Sequence, residues 1–140
     1  MGRYLNQGNE SFEKSVNSEI YIDKTGLIKY TNRVLNTLQG YVCISRPRRF
    51  GKSMAANMLT AYYSRGCDSG QLFAGFEIAE SPDFEKYRNK YNTISLNMQE
   101  FLSRSSNVEE LLSRVEKLVL RDLKKEYPDV DYFDETDLTG

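Results

Sequence analysis

The sequence predicts an α/β fold in which parallel strands are flanked by helices, and three observations predict it. Tyr41 to Ile44 is a short apolar run, partly β-branched, that reads as a buried strand. Directly after it, from Gly51 to about Tyr63, Met54, Ala55, Met58, Leu59 and Tyr62 recur at helical spacing. Tyr91 to Met98 alternates, with Ile94, Leu96 and Met98 on one side, and reads as a second strand. Two strands joined by a long crossover containing a helix favour parallel pairing.

Composition narrows the function classes. At 140 residues and 39% hydrophobic content the chain can bury about two thirds of its unfolded surface, and one domain is expected. Nineteen Lys and Arg against 20 Asp and Glu leave a net charge of -1, so no general attraction to nucleic acid or to an anionic membrane is expected. There is no histidine and there are only two cysteines, Cys43 and Cys67, which removes the usual soft-metal sites and histidine-based acid–base chemistry. Cys43, inside the expected strand, reads as a small buried apolar residue. No apolar h-region and no run of eighteen apolar residues occurs, so a reducing cytoplasm is the expected location and no membrane partner is expected.

The elements follow in order. Phe12 and Val16 support a short helix at about 10 to 16. Leu27, Ile28, Thr31, Val34, Leu35 and Leu38 form one stripe of a helix from about 24 to 38, with Gly40 as its stop. Gly66 to Gly70 ends the helix that began at Gly51, and Leu72, Phe73, Phe76 and Ile78 anchor an irregular segment over the core. Ser81-Pro82 reads as an N-cap with proline at the first helical position, starting a helix to about Lys90. Ser106 with Glu109 reads as a capping box for a last helix, whose Val108, Leu111, Leu112, Val115, Leu118, Val119 and Leu123 make a broad apolar stripe facing the core.

Gly51-Lys52-Ser53 therefore falls at an expected strand-to-helix turn, where a phosphate-binding P-loop belongs. The first turn of a helix offers unpaired N–H groups and a positive dipole end to phosphate. The amides of Arg48 to Ser53 would wrap the phosphates, Lys52 would reach the β/γ oxygens and Ser53 would ligate Mg²⁺. The expected nucleotide-contacting stretch is Arg46, Pro47, Arg48, Arg49, Phe50, Gly51, Lys52, Ser53 and Met54, with ATP or a related nucleotide and Mg²⁺ as the expected ligands; no base-reading motif decides between adenine and guanine. Arg46 stands where the general pattern has its first glycine, and Pro47 has no N–H to donate, so the loop must turn by another route. A fortuitous surface turn is the plain alternative.

Arg46-Pro47-Arg48-Arg49-Phe50-Gly51-Lys52-Ser53, preceded by Tyr21-Ile22-Asp23-Lys24-Thr25 and by Asn9-Glu10-Ser11-Phe12-Glu13, resembles the bacterial AAA-ATPase-like family. The similarity takes in Leu72-Phe73 with Gly75 and the run around Ile94 to Leu96, so it covers most of residues 4 to 105. The resemblance implies a P-loop NTPase-like fold and an ATP-binding module. In that family the missing first glycine is usual. The aspartate-bearing strand comes beyond the equivalent of residue 140, and full-length members often carry a C-terminal nuclease-like domain. On this reading residues 1–126 are the N-terminal portion of the ATPase-like domain, 127–140 are an acidic tail or a cut edge, and hydrolysis belongs to a longer protein.

Two stretches stay open. If the helix from about 24 packs beside the loop, Tyr21 or Ile22 would wall the base of a nucleotide; the plainer and preferred reading makes Tyr21 core and Asp23 or Thr25 a helix cap. Val130-Asp131-Tyr132-Phe133-Asp134-Glu135 offers Asp-Glu after aromatics, but Pro128, Asp129 and Asp131 interrupt a buried strand, so no catalytic residue is assigned. Two other function classes remain: a protein-interaction scaffold with an anion-binding loop, and a nucleic-acid binder using the cluster of Arg46, Arg48, Arg49 and Lys52.

Overall fold

The structure is a computed structural model that describes residues 2–45 and 51–130. Among them are seven α-helices: α1 (Glu10–Val16), α2 (Gly26–Val34), α3 (Lys52–Tyr63), α4 (Gly70–Phe73), α5 (Phe84–Tyr87), α6 (Met98–Leu102) and α7 (Val108–Glu126). A 3-10 turn, Glu77–Glu80, lies between α4 and α5.

The expected α/β fold is not what forms. Among the described residues there is no sheet, only two isolated bridges, Leu5 with Ile94 (antiparallel) and Ser64 with Tyr91 (parallel). Tyr41 is 99% exposed and Cys43 is exposed, so the run read as a buried strand is neither paired nor covered. Strand preference expresses packing on a pleated surface, and an unpaired β-branched run has no such surface to join. The run 91–98 fails differently. Tyr91 bridges to Ser64 while Ile94 bridges to Leu5, and Met98 already begins α6, with Asn97 as its cap. Ile94, Leu96 and Met98 stay exposed.

The described chain divides into two compact units, Gly8–Thr93 and the described parts of Met1–Gln7 with Ile94–Gly140. In the first, α1 packs on α3, and Phe12, Ile28, Met58, Ala61, Tyr62, Phe73, Ile78 and Phe84 form one core. The Phe12 and Phe73 rings stack at 5.0 Å, and Tyr62 meets Phe73 edge-on at 5.7 Å. Each such buried side chain contributes roughly 1.5–3 kcal/mol relative to exposure. Tyr62 Oη donates to Phe84 O (2.8 Å) and accepts from Asn32 Nδ2 (3.2 Å), so its polar tip is satisfied inside the core.

The C-terminal carbonyls of α3 are closed from a distance. Asn89, at φ +55, donates through Nδ2 to Ala61 O (3.0 Å) and Ser64 O (2.8 Å), and Ser69 Oγ donates to Ala61 O (2.7 Å). These side chains replace the acceptors' lost intrahelical partners. The expected long second helix is shorter: α2 stops at Val34, and Asn36 at φ +58 turns the chain away. The helix expected from Ser81 begins at Phe84 with Asp83 as N-cap, and runs only to Tyr87.

In the second unit α7 presents Leu111 and Val119 to a core shared with Tyr4 and Phe101, with Val115, Leu118 and Leu123 packed against it, while Val108 and Leu112 face solvent. Its N-cap is Asn107 and not Ser106: Asn107 Oδ1 accepts from Glu110 N (2.8 Å), and Glu110 Oε2 accepts from Ser106 N (3.0 Å). The capping device expected at Ser106 and Glu109 thus forms one residue later. Asp122 is buried on the apolar face of α7, where its Oδ2 accepts from Tyr4 N (2.6 Å) and Leu5 N (3.2 Å) and fixes the N-terminal segment.

Candidate functional site

Gly51 is the N-cap of α3 and adopts φ +84, ψ 20, the left-handed region that glycine enters without a Cβ clash. A Cβ there would also lie 3.2 Å from Lys24 Nζ. Among the described residues, the first amide of the helix to find an acceptor is that of Ala55, bonded to Gly51 O at 2.9 Å. The amides of Lys52, Ser53 and Met54 belong to the open helix end, which has no side-chain cap and no acidic residue in its first turn. Lys52, Ser53 and Met54 are all exposed.

This end opens on a cleft of ≈ 690 Å³ whose lining includes Lys24, Tyr30, Cys43, Ser45, Gly51, Lys52 and the carboxylates Asp23 and Glu77. A smaller hollow of ≈ 290 Å³ adjoins it, sharing Lys24, Gly51 and Ala55 and lined otherwise by Ile20, Tyr21, Ile22, Met54 and Met58. The first mixes two lysines and two carboxylates with apolar side chains such as Leu27, Val42 and Ile44; the second is mainly apolar.

Asp23 organises the edge of the cleft. Its Oδ1 accepts from Thr25 N (2.8 Å) and Thr25 Oγ1 (2.6 Å), and its Oδ2 accepts from Glu77 N (2.9 Å). Partial burial pushes this carboxyl upward, but the three hydrogen bonds outweigh burial and hold it below the usual carboxylate value. Thr25 in turn accepts from Ile78 N through its hydroxyl (3.2 Å). The segment 23–25 is therefore pinned to the 3-10 turn. Glu77, the other acid of the cleft, pairs with Lys29 at 2.9 Å.

Gly51, Lys52, Ser53 and Met54 lie at the N-terminal end of α3, but among the described residues no strand precedes them, so the strand-to-helix turn expected for a P-loop is not formed. Arg46, Pro47, Arg48, Arg49 and Phe50 lie outside the described residues, as do Asp131, Tyr132, Phe133, Asp134 and Glu135. Cys43, expected to be buried, instead lines the cleft. Tyr21 packs against Phe12 and Phe76, with ring centroids at 5.9 and 5.2 Å, so its preferred reading as core holds, and burial first, then the Asp23 charge, raises its phenol above the ordinary value. Ile22 is 68% exposed and lines the apolar hollow. Thr25 is the N-cap residue of α2, although its side chain bonds no amide of that helix.

Lys24 and Glu77 are members of the cleft that local sequence pattern does not assign. Lys24 sits inside the Tyr21–Thr25 box, which is the one signal pointing to it. Among the described residues no group of three or more Cys, Asp and Glu is placed to hold a metal, and no helix is long and apolar enough to cross a membrane. The residues present fit a polyphosphate with its counter-ion: open amides, a left-handed glycine, lysines beside it and the exposed Ser53 hydroxyl.

The profile of a family described as predicted AAA-ATPase matches residues 7–139. The chain belongs to the AAA-ATPase-like family. No curated protein and no solved structure matches it. The AAA-ATPase-like match spans nearly the whole chain and agrees with the resemblance carried by Tyr21 to Thr25 and Arg46 to Ser53. Membership in the AAA-ATPase-like family does not restore the expected sheet, since the described residues remain helical.

Proposed function

We propose that this AAA-ATPase-like chain binds a nucleoside triphosphate, ATP in the first instance, with Mg²⁺ at the N-terminal end of α3. The observation that carries the reading is the acid-free first turn of α3 behind left-handed Gly51, beside a cleft whose lining includes Lys24 and Lys52. A helix end of this kind favours an anion through its free amides and its dipole. The amides from Gly51 onward would take phosphate oxygens, and the Lys52 ammonium would neutralise charge on the outer phosphates. Ser53 would offer its hydroxyl to Mg²⁺, which supplies further charge neutralisation when bound. The apolar hollow beside Ile22 and Met54 has the character to receive the base, in line with the general preference of cofactor sites for apolar walls with a few polar anchors.

The proposal is of binding. The two acids lining the cleft are committed elsewhere, Asp23 to three donors and Glu77 to Lys29, so neither is assigned the activation of water. Calorimetric titration of the chain with Mg-ATP and Mg-ADP tests it, with Lys52→Ala as the control. Saturable binding that the substitution abolishes is expected, with the thermal melt unchanged. Equal affinity in the two proteins would overturn the assignment.

A further inference from the structure

Residues 2–7 form an arm that belongs to a unit distant from it in sequence. Gly8, the residue that follows the arm, already lies in the first unit, while the arm's own partners come from Ile94 onward. Tyr4 and Leu5 are buried, and the Tyr4 ring meets that of Phe101 at 5.5 Å. Asp122 Oδ2 accepts from Tyr4 N (2.6 Å), 118 positions away, and from Leu5 N (3.2 Å). Ser95 N donates to Tyr4 O (2.9 Å), and Arg3 pairs with Glu100. The seat is fitted to this arm, since a Cβ on Gly2 would come within 2.8 Å of Asp122 Oδ2. The arm also keeps its own shape: Gly2 N donates to Leu5 O (2.9 Å), and Gln7 Nε2 donates to Arg3 O. Between the anchored residues and the first unit, the backbone turns through left-handed conformations at Asn6 (φ +50) and Gly8 (φ +89). Glycine enters that region freely, whereas a residue with a Cβ is strained in it.

We propose that this arm is exchanged between two copies of the chain, residues 2–7 of each seating on α7 of the other. The inference is independent of the nucleotide reading. The bonds of the arm within the second unit are the same whether it comes from its own chain or from a second copy, so they cancel between the two forms. A second copy brings the Gly2 that the seat requires, the two amides that Asp122 accepts from, and the Tyr4 ring that completes the core. What differs is the hinge at residues 6–8 and the concentration of the arm. Exchange of an identical element is a low-cost route to a symmetric dimer, and a short strained hinge favours it. A tethered arm presents itself to its own seat at an effective concentration on the order of 1 mM. Release of Asn6 from the left-handed region, which its short polar side chain tolerates better than most, adds about threefold per chain and so about tenfold per dimer. The dimer is therefore expected to dissociate with a constant of about 100 μM.

Sedimentation equilibrium of the wild-type chain, Asn6→Gly and Gly8→Ala, each refolded from denaturant at a series of concentrations, tests the exchange. The two substitutions are expected to act in opposite directions. Asn6→Gly relaxes the closed hinge and should weaken the dimer by about tenfold, whereas Gly8→Ala strains it and should tighten the dimer by about a hundredfold. A second measurement reads the exchange itself. Arg3→Cys and Glu100→Cys are placed in separate chains, each also carrying Cys43→Ser and Cys67→Ser, and the two are refolded together and treated with a short dimaleimide. The Arg3–Glu100 pair is solvent-accessible, so its loss should leave folding intact. A covalent heterodimer joined through positions 3 and 100 is expected. A dimer whose strength ignores the hinge substitutions, or cross-linking that does not join position 3 to position 100, would overturn the proposal. So would a folded wild-type chain that stays monomeric up to about 1 mM. If Gly8→Ala does not fold, Asn6→Gly and the cross-link decide the matter.

Discussion

The two ends of α3 are built from opposite materials. Toward its C-terminus Ala61 and Tyr62 are wholly inaccessible, Met58 nearly so, and the carbonyls of the last turn are taken by Asn89 and Ser69. Toward its N-terminus Lys52, Ser53 and Met54 face solvent, the cap residue is a glycine with no side chain to offer, and the Lys24 ammonium stands beside that glycine. One end has its last carbonyls closed from within the protein. The other presents exposed Lys52, Ser53 and Met54 with no side-chain cap. On the proposed function, a single helix separates the stability of a small unit from its chemistry, and substitutions at one end are expected to register in the melt and at the other in binding.

The largest effect that would break this comparison is at Tyr62. Tyr62→Ala removes a ring packed against Phe73, Phe84 and Tyr63 and leaves Asn32 and Phe84 O without their phenol partner. A loss of about 3–5 kcal/mol in unfolding free energy is expected from chemical denaturation, against less than about 0.5 kcal/mol for Lys52→Ala. Similar losses at the two positions would remove the division of labour between the ends.

A second, smaller effect lies in pH. Burial pushes the Tyr62 phenol up to about 12, outweighing the Asn32 hydrogen bond and the Arg88 charge that pull it down. Tyr63 is raised as well, with burial again the main cause, beside Thr31 and Asn32. A phenol whose folded pKa exceeds its unfolded value favours the folded chain while both states are protonated. That contribution is whole below about pH 10 and is lost as pH rises from there toward the folded value. The unfolding free energy should therefore be flat up to about pH 10 and fall above it, by on the order of 2 kcal/mol for Tyr62 alone, with the denaturation midpoint falling in step. Tyr62→Phe should flatten part of that fall. A midpoint independent of alkaline pH would show that the phenols are not held protonated by the core.

Much of this was legible from periodicity, and the failures have physical causes. α3 and α7 were readable because a long stripe at helical spacing has few competing explanations. The runs 41–44 and 91–98 were misread because short apolar or alternating runs carry no information about whether a neighbouring strand exists to pair with them. The cap of α7 slipped by one because Ser106 and Asn107 both suit an N-cap and Glu109 and Glu110 stand side by side. At the candidate site, Gly51, Lys52 and Ser53 are proposed from their spacing, and the structure adds that they open α3. Lys24 could not be proposed in this way, because what sets it beside Gly51 is a hydrogen bond from Glu77 N to Asp23, between residues 54 apart in the chain. Asp122 was hidden for the same reason: the amides it accepts from lie at the opposite end of the sequence.

The smallest effect sharpens the comparison most, because stability and binding should move in opposite directions. α7 shows what a helix start looks like when the protein completes it: Asn107 caps the Glu110 amide, and Glu109 and Glu110 set negative charge in the first turn. α3 has neither. Ser53→Glu would give α3 the carboxylate that α7 already has, beside the ammonium of Lys52. The free chain should gain about 0.5 kcal/mol, the usual size of an acidic group at a helix N-terminus, while Mg-ATP binding should fall below detection because the new charge occupies the place proposed for phosphate. A thermal melt and a calorimetric titration of the same preparation measure the pair. A variant that is less stable than wild type would mean that the first turn of α3 was not short of negative charge. One that still binds Mg-ATP at wild-type affinity would place the phosphates elsewhere.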